Sequence, residues 1–180
     1  ASDWSSDVCS SDLLAYTENQ AATAIDTAIT VADPDNATLV SGTVSITGGF
    51  ATAEDTLAFT NVPATMGNIA GSYNAATGVM TLTSAGGTAT TAQWQAALRA
   101  VTYANSSDAP STAARTVSFT VNDSALNSNT ITSTINVNEV NDAPIRVAGS
   151  VNNLNVAEDA SFISLGLNGV SYDPVESGQN

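Results

Sequence analysis

Arg115-Thr116-Val117-Ser118-Phe119-Thr120-Val121-Asn122-Asp123 alternates hydroxyl and apolar side chains without a break from Thr116 to Val121. Successive side chains of a strand point to opposite faces, so Val117, Phe119 and Val121 are expected to face a core and Thr116, Ser118 and Thr120 to face solvent. The same scheme recurs upstream. Val44 and Ile46 alternate with Thr43, Ser45 and Thr47, and Leu57 and Phe59 repeat it before a turn at Asn61-Val62-Pro63. Val79 to Thr83 reads as a further strand, entered through Ala76-Thr77-Gly78 and left through Gly86-Gly87. Downstream, Ile131, Ile135 and Val137 share one face of a last strand, with Ser133 intruding on that face. Short segments rich in Thr, Val and Ile, broken by Gly, Asn, Asp or Pro, predict an antiparallel all-β domain.

One segment follows a different period. Thr90-Thr91-Ala92-Gln93 has the form of a capping box with Thr90 as N-cap, and Trp94, Ala97, Leu98 and Val101 then recur at i, i+3, i+4 and i+7. A short helix laid across the sheets is expected, with Trp94 and Leu98 buried and the chain returning to a strand around Val101 to Tyr103. Trp94 is read as core and not as a ligand platform.

An acidic pattern repeats 140 residues apart. Glu18 stands fifteen positions before Asp33-Pro34, and Glu158 stands fifteen before Asp173-Pro174. This divides the chain into a unit over 14–139, a linker over 140–144, and the start of a second unit over 145–180 that stops unfinished. Pro144 removes a backbone donor and biases Ala143 toward an extended conformation, so the joint should be taut. In the second unit, Leu154, Val156, Phe162, Ile163, Leu165 and Leu167 supply apolar packing, but their strands lack partners. The opening stretch over 1–13 has no period and resembles a translated sequencing adapter. Trp4 and the lone cysteine, Cys9, are therefore set aside from fold reasoning.

Of the 180 residues, 43% are apolar, enough for a real core. Seventeen acidic residues stand against three arginines, with no lysine or histidine, for a formal charge of −14. Such a chain repels phosphate backbones and anionic lipid, so nucleic acid and membrane surfaces are poor partners and cations are natural ones. The alternative is that the acids serve solubility alone. Without histidine there is no imidazole base or zinc ligand, and one cysteine excludes an internal disulfide or thiolate cluster. No apolar run of about 18 residues is present, so no membrane insertion is expected. Paired acids exist, but no Gly-rich phosphate loop and no Cys/His arrangement accompanies them, so no enzymatic activity is expected.

Val137-Asn138-Glu139-Val140-Asn141-Asp142-Ala143-Pro144, with the early Glu18 and with Asp33-Pro34-Asp35, resembles the cadherin-like modules of large bacterial surface adhesins with tandem repeats. Gly78-Val79-Met80-Thr81-Leu82, the run from Trp94 to Tyr103 and the run from Arg115 to Asp123 are similar to the related chondroitin-sulfate-proteoglycan type repeat. The resemblance implies a Greek-key sandwich of cadherin or immunoglobulin type with one inserted helix, followed by the start of another. It also implies calcium at the joints. By position, Glu18, Glu139, Asn141, Asp142 and Asp173 would serve one joint, with Asp123 approaching from a neighbouring strand. Asp33 and Asp35 would serve the preceding joint and Glu158 the following one. Two departures stand out: the second unit reads Asp173-Pro174-Val175-Glu176, which moves one carboxylate on by a position, and the linker opens with Glu139 where animal cadherins carry aspartate. The alternative for the linker is ordinary Asx turns in solvent.

The function so implied is a structural extender of a secreted or cell-surface adhesin, outside the cell or on the bacterial outer surface. Its partners would be neighbouring modules of the same chain, and a host or surface glycan or protein. A second reading is an adhesive module binding glycan or peptide through the insert over 86–108, with Tyr73 and Tyr103 as its aromatic candidates. Glu54-Asp55 and Asp108-Ala109-Pro110-Ser111 read as solvent-facing turns, with an acidic loop site as the alternative for the former. Arg115 is expected to pair with Asp108 at the surface, for about 0 to 1 kcal/mol.

Overall fold

The computed structural model describes residues 13–150 and 155–173. The expectations for Trp4, Cys9, Leu154 and Pro174 to Glu176 fall outside those residues. The chain divides into two compact units, Ala1–Glu139 and Val140–Asn180. It is mostly β, with several sheets and few helices.

In the first unit the elements run β1 (Leu13–Thr17), β2 (Thr23–Ala24), β3 (Thr38–Leu39), β4 (Ser41–Gly48), β5 (Asp55–Ala58), α1 (Pro63–Met66), β6 (Ile69–Asn74) and β7 (Val79–Ser84). They continue with β8 (Ala89–Thr90), α2 (Thr91–Arg99), β9 (Thr102–Asn105), β10 (Arg115–Asn122) and β11 (Ile131–Asn138). A six-stranded sheet has the order β1-β11-β10-β4-β7-β6, a three-stranded sheet the order β2-β9-β5, and β3 pairs with β8. Leu13, assigned to the opening stretch by sequence, belongs to β1 and pairs with Thr134.

Burial alternates along the central strands as the hydroxyl pattern requires. Val117, Phe119 and Val121 of β10 and Val44 and Ile46 of β4 are buried, joined by Met80 and Leu82 of β7 and by Ile135 and Val137 of β11. Leu57 of β5 and Tyr103 of β9 enter the same core from the three-stranded sheet. The Tyr103 ring meets that of Tyr16 edge to face, with centroids 4.9 Å apart.

The pairing of β1 with β11 departs from the antiparallel expectation. It is parallel, with Leu13 opposite Thr134 and Thr17 opposite Asn138, whereas the other ladders are antiparallel. Parallel neighbours need a long connection, and here nearly the whole unit supplies it.

The helix α2 forms where the period changes. Thr90 Oγ1 accepts from Gln93 N while Gln93 Oε1 accepts from Thr90 N, which satisfies two donors at the helix start. Trp94, Ala97 and Leu98 are fully buried, and the indole Nε1 donates to Leu39 O at 3.0 Å. Gly42 of β4 makes room for the indole: a Cβ there would lie 3.0 Å from the ring. A second helix, α1, occupies a stretch read as a turn. Pro63 stands in its first turn, where its missing N–H costs nothing, and Met66 anchors it in the core.

The second unit, taken alone, pairs β12 (Ile145–Ala148) with β13 (Ser171–Asp173) antiparallel, Ile145 opposite Asp173. Every residue of both strands is exposed. Val156, Phe162, Ile163 and Leu165 are exposed too, and lie outside any strand.

Candidate metal sites and a buried polar cluster

Of the acids named from the sequence, those of the first unit lie at its two ends. Both β1 and β11 run toward one end, where Glu18 N donates to Asn138 O at 3.0 Å. This brings Glu18 beside Glu139 although 120 residues separate them. Glu18 itself is buried, and its turn is clamped twice more: Asn19 N donates to Asn105 O, and Tyr16 Oη donates to Gln20 O at 2.6 Å. Glu139 is exposed.

The opposite end carries the rest. Asp33 Oδ1 accepts from the backbone N–H groups of Asp35 and Asn36, each at 3.0 Å, forming an Asx turn. Asn36 Nδ2 reaches across to Asp123 Oδ2 at 2.9 Å. Asp123 thus joins the Asp33–Asp35 loop, not the Glu18 end where the sequence reading brought it. The strand directions explain this, since β10 is antiparallel to β11 and Asp123 follows the end of β10 remote from Glu139. Backbone N–H groups of Leu126 and Ala125 donate to Asp123 and hold its carboxyl below the ordinary range. Asp33 Oδ2 is buried without a hydrogen-bond partner. A hard cation takes such an oxygen readily, so the donor chemistry at this end fits calcium.

In the second unit, Asn141 Nδ2 donates to Asp142 O at 3.2 Å. Asp173 ends β13, and Glu158 lies in a turn closed by Ala160 N on Ala157 O. Among the described residues, no group of three or more His, Cys, Asp or Glu is arranged to hold a metal ion.

Two further expectations are corrected. Asp55 is not in a solvent-facing turn: it is 3% exposed and faces Arg115, which is wholly buried. Arg115 Nη2 lies 3.1 Å from Asp55 Oδ1 and 3.6 Å from Glu54 Oε2, and its Nε contacts both Asp55 oxygens at 3.2 Å. Asp108 instead accepts from Asn19 Nδ2 at 2.8 Å. Around the pair, Asp55 also accepts from Tyr103 Oη at 2.6 Å, Asn105 Nδ2 at 3.0 Å and Ala51 N at 2.8 Å, while Arg115 donates to Ser111 O and Ala113 O. Nearly every polar atom of the pair is satisfied, which a buried ion pair requires. Burial, then the bond to Asp55, drives the Tyr103 hydroxyl well above the usual tyrosine pKa.

Tyr103 is therefore core and offers no platform for a glycan. Tyr73 is half-buried, with its hydroxyl on Asp55 O at 3.0 Å. A further buried acid, Asp26, went unnoticed in the sequence. It accepts from Ala28 N, Ile29 N and Ser133 Oγ, which accounts for the serine on the core face of β11.

No family model matches the chain, and no solved structure matches it. Halomucin of Haloquadratum walsbyi (strain DSM 16790 / HBSQ001) is 41% identical to it over 99 residues, 54% of this chain. The chain spans about 1% of halomucin's length. Among the described residues no helix is long and apolar enough to cross a membrane.

Proposed function

We propose that this chain is a structural extender of a large secreted or cell-surface adhesin: a Greek-key sandwich of cadherin type with no enzymatic role. Calcium would stiffen the joints between successive units and so support adhesion at the cell surface. The observation that carries this reading is the parallel pairing of the first and last strands of the first unit. When β1 and β11 run the same way, the chain enters the unit at one end and leaves it at the opposite end, and such units join head to tail into a string. The division of the acids between the two ends supports the same reading, because each joint would draw oxygens from the end of one unit and the start of the next. The similarity to a segment of halomucin supports a repeat-bearing surface protein.

Glu18, Glu139, Asn141, Asp142 and Asp173 are the residues proposed for the joint within this chain, and Asp33, Asp35, Asp123 and Glu158 those for flanking joints. Calcium supplies fixed charge that offsets the mutual repulsion of these carboxylates. Small-angle scattering and thermal melting of a tandem of two complete units test the proposal. In calcium the tandem should be longer and melt higher than in chelator, since an ion bound by the native state stabilises it by mass action. Identical scattering and melting in the two conditions would rule the proposal out.

A further inference from the structure

β6 forms one edge of the six-stranded sheet, and the ladder beside it shows which of its backbone groups are open. Ser84 N donates to Val40 O and Gly78 O accepts from Ile46 N, so the even-numbered residues of β7 turn their backbone groups toward β4. The odd-numbered ones, Val79, Thr81 and Thr83, therefore bond Asn74, Ser72 and Ala70 of β6. That leaves Ile69, Gly71 and Tyr73 with N–H and C=O groups directed away from the sheet. Ile69 is buried, but Gly71 is exposed although it shares the inward face of Leu82, and Tyr73 is half-buried.

Sheet edges are usually blunted by a charge, a proline, a bulge or a cover. The other edges among the described residues carry such a device or are very short. Thr17 N at the β1 edge donates to Gln20 Oε1 at 3.1 Å, and Asp55 O of β5 accepts from Tyr73 Oη at 3.0 Å. β2, β3 and β8 have two residues each, and the β12–β13 pair holds Arg146, Asp173 and a shift of register. β6 has six residues, an unbroken register against β7, and neither charge nor proline.

We propose that β6 pairs antiparallel with β6 of a second copy, joining two six-stranded sheets edge to edge. A row of open backbone groups is matched by another extended strand, and among the described residues the strand with such an edge is β6 itself. Antiparallel pairing of a strand with its own copy closes on a twofold axis. Charge permits it. No charged residue stands between Asp55 and Arg99, so two chains of formal charge −14 meet where neither brings an acid, and a foreign strand of either sign gains no attraction there. Because Ile69 is buried, the axis falls at Ser72. Gly71 and Tyr73 of one copy then oppose Tyr73 and Gly71 of the other as hydrogen-bonded pairs, and the two Ser72 residues oppose each other as a non-hydrogen-bonded pair with Cα atoms about 4.5 Å apart. One strand buries less than the roughly 800 Å² per partner of a standard interface, so the pairing is weak and reversible. It needs no calcium and is independent of the reading of the joints.

Cysteine trapping tests it on the whole chain carrying Cys9→Ser, in 1 M sodium chloride, where a Debye length of about 3 Å screens the repulsion between copies. Under mild oxidation Ser72→Cys should form an inter-chain disulfide, because its Cα separation lies within the limit of about 6.8 Å. Thr81→Cys, opposite Ser72 on β7, would lie three strand spacings or about 14 Å from its copy and should stay monomeric. In sedimentation equilibrium the parent mass should rise with concentration, and Ser72→Glu, which sets two carboxylates against each other across the axis, should abolish that rise. Circular dichroism confirms that each variant is folded. Equal cross-linking at both positions, or cross-linking at Thr81→Cys alone, would mean that copies meet by their faces and overturns the proposal. So does a Ser72→Cys chain that stays monomeric, which leaves the edge to a foreign strand or to water, and so does association that Ser72→Glu leaves unchanged.

Discussion

Tyr16 and Val156 occupy matching places in the two copies of the acidic repeat, two residues before Glu18 and Glu158, yet the first is fully buried and the second 58% exposed. Ile25 and Leu165, seven residues after those acids, differ in the same way, at 3% and 66%. The apolar pattern is present in both units, but only in the first is it covered. The cover arrives late in the chain: β1 packs on β11 and β2 on β9, so the opening strands depend on residues beyond Thr102. An opening half of this unit is therefore not a folding unit, because its own strands do not pair with one another. Such long-range pairing also predicts slow folding, since loop closure precedes the contacts that reward it.

The strongest way to break the contrast is to uncouple the late strands from the early ones. Arg115 at the head of β10 holds Asp55 at the head of β5, and Arg115→Met leaves that carboxylate buried with no counter-charge. A loss of about 3 to 5 kcal/mol is expected, read from the urea midpoint of the isolated first unit. If the variant melts like the parent, the buried pair does not tie the sheets together. Gly42→Val comes next. Its side chain meets the Trp94 ring and Thr120 O, and overpacking of this kind costs about 1 to 3 kcal/mol. An unchanged midpoint would mean that α2 rides loosely on β4.

The buried hydroxyl of Tyr103 gives the contrast a pH dependence. An unfolded tyrosine loses its proton near pH 10, whereas in the folded unit burial and Asp55 hold that proton to higher pH. The folded state then binds more protons than the unfolded state above about pH 10, so stability should be full below that pH and fall as pH rises beyond it. Tyr73, raised by burial, adds in the same direction. Tyr103→Phe should flatten this alkaline decline in a melting series from pH 8 to 12, and an unaltered slope would contradict the assignment.

How much of this was legible in the sequence depends on which interactions were local. Strict alternation set the faces of β4 and β10, and the Thr90 and Gln93 spacing set the start of α2, because both patterns are written in contiguous residues. The buried ion pair was equally written, though read otherwise. Arg115 shares the parity of Val117, Phe119 and Val121, and Asp55 that of Leu57, so both charges stand at inward positions of their strands. What no local pattern carries is the parallel register of β1 on β11, which fixes the ends to which Glu18 and Asp123 belong. Asp26 was missed for a similar reason, since its partner Ser133 comes from the other end of the chain. Thr90→Ala separates local from distant effects: losing the cap should cost only about 1 kcal/mol, a small downward shift of the urea midpoint with α2 retained by Trp94 and Leu98. Complete loss of the helix in circular dichroism would mean that local capping, not packing, maintains it.

The smallest effect belongs to the second unit. Phe162 is fully exposed, so Phe162→Ser removes no buried area and creates no cavity. Substitutions at such surfaces stay within about 0.5 kcal/mol, whereas truncating a covered aromatic such as Phe119 to Ala costs about 3 to 5 kcal/mol. Hydrogen exchange on the whole chain reads both sides of the contrast at once. Amides of β4, β10 and β11 should share the slow exchange of global unfolding, and those of residues 155–170 should exchange fast in the parent and in Phe162→Ser alike. Slow exchange over 155–170 that Phe162→Ser abolishes would show that the aromatic ring is covered in solution, and the difference in burial between the described residues of the two units would then not hold.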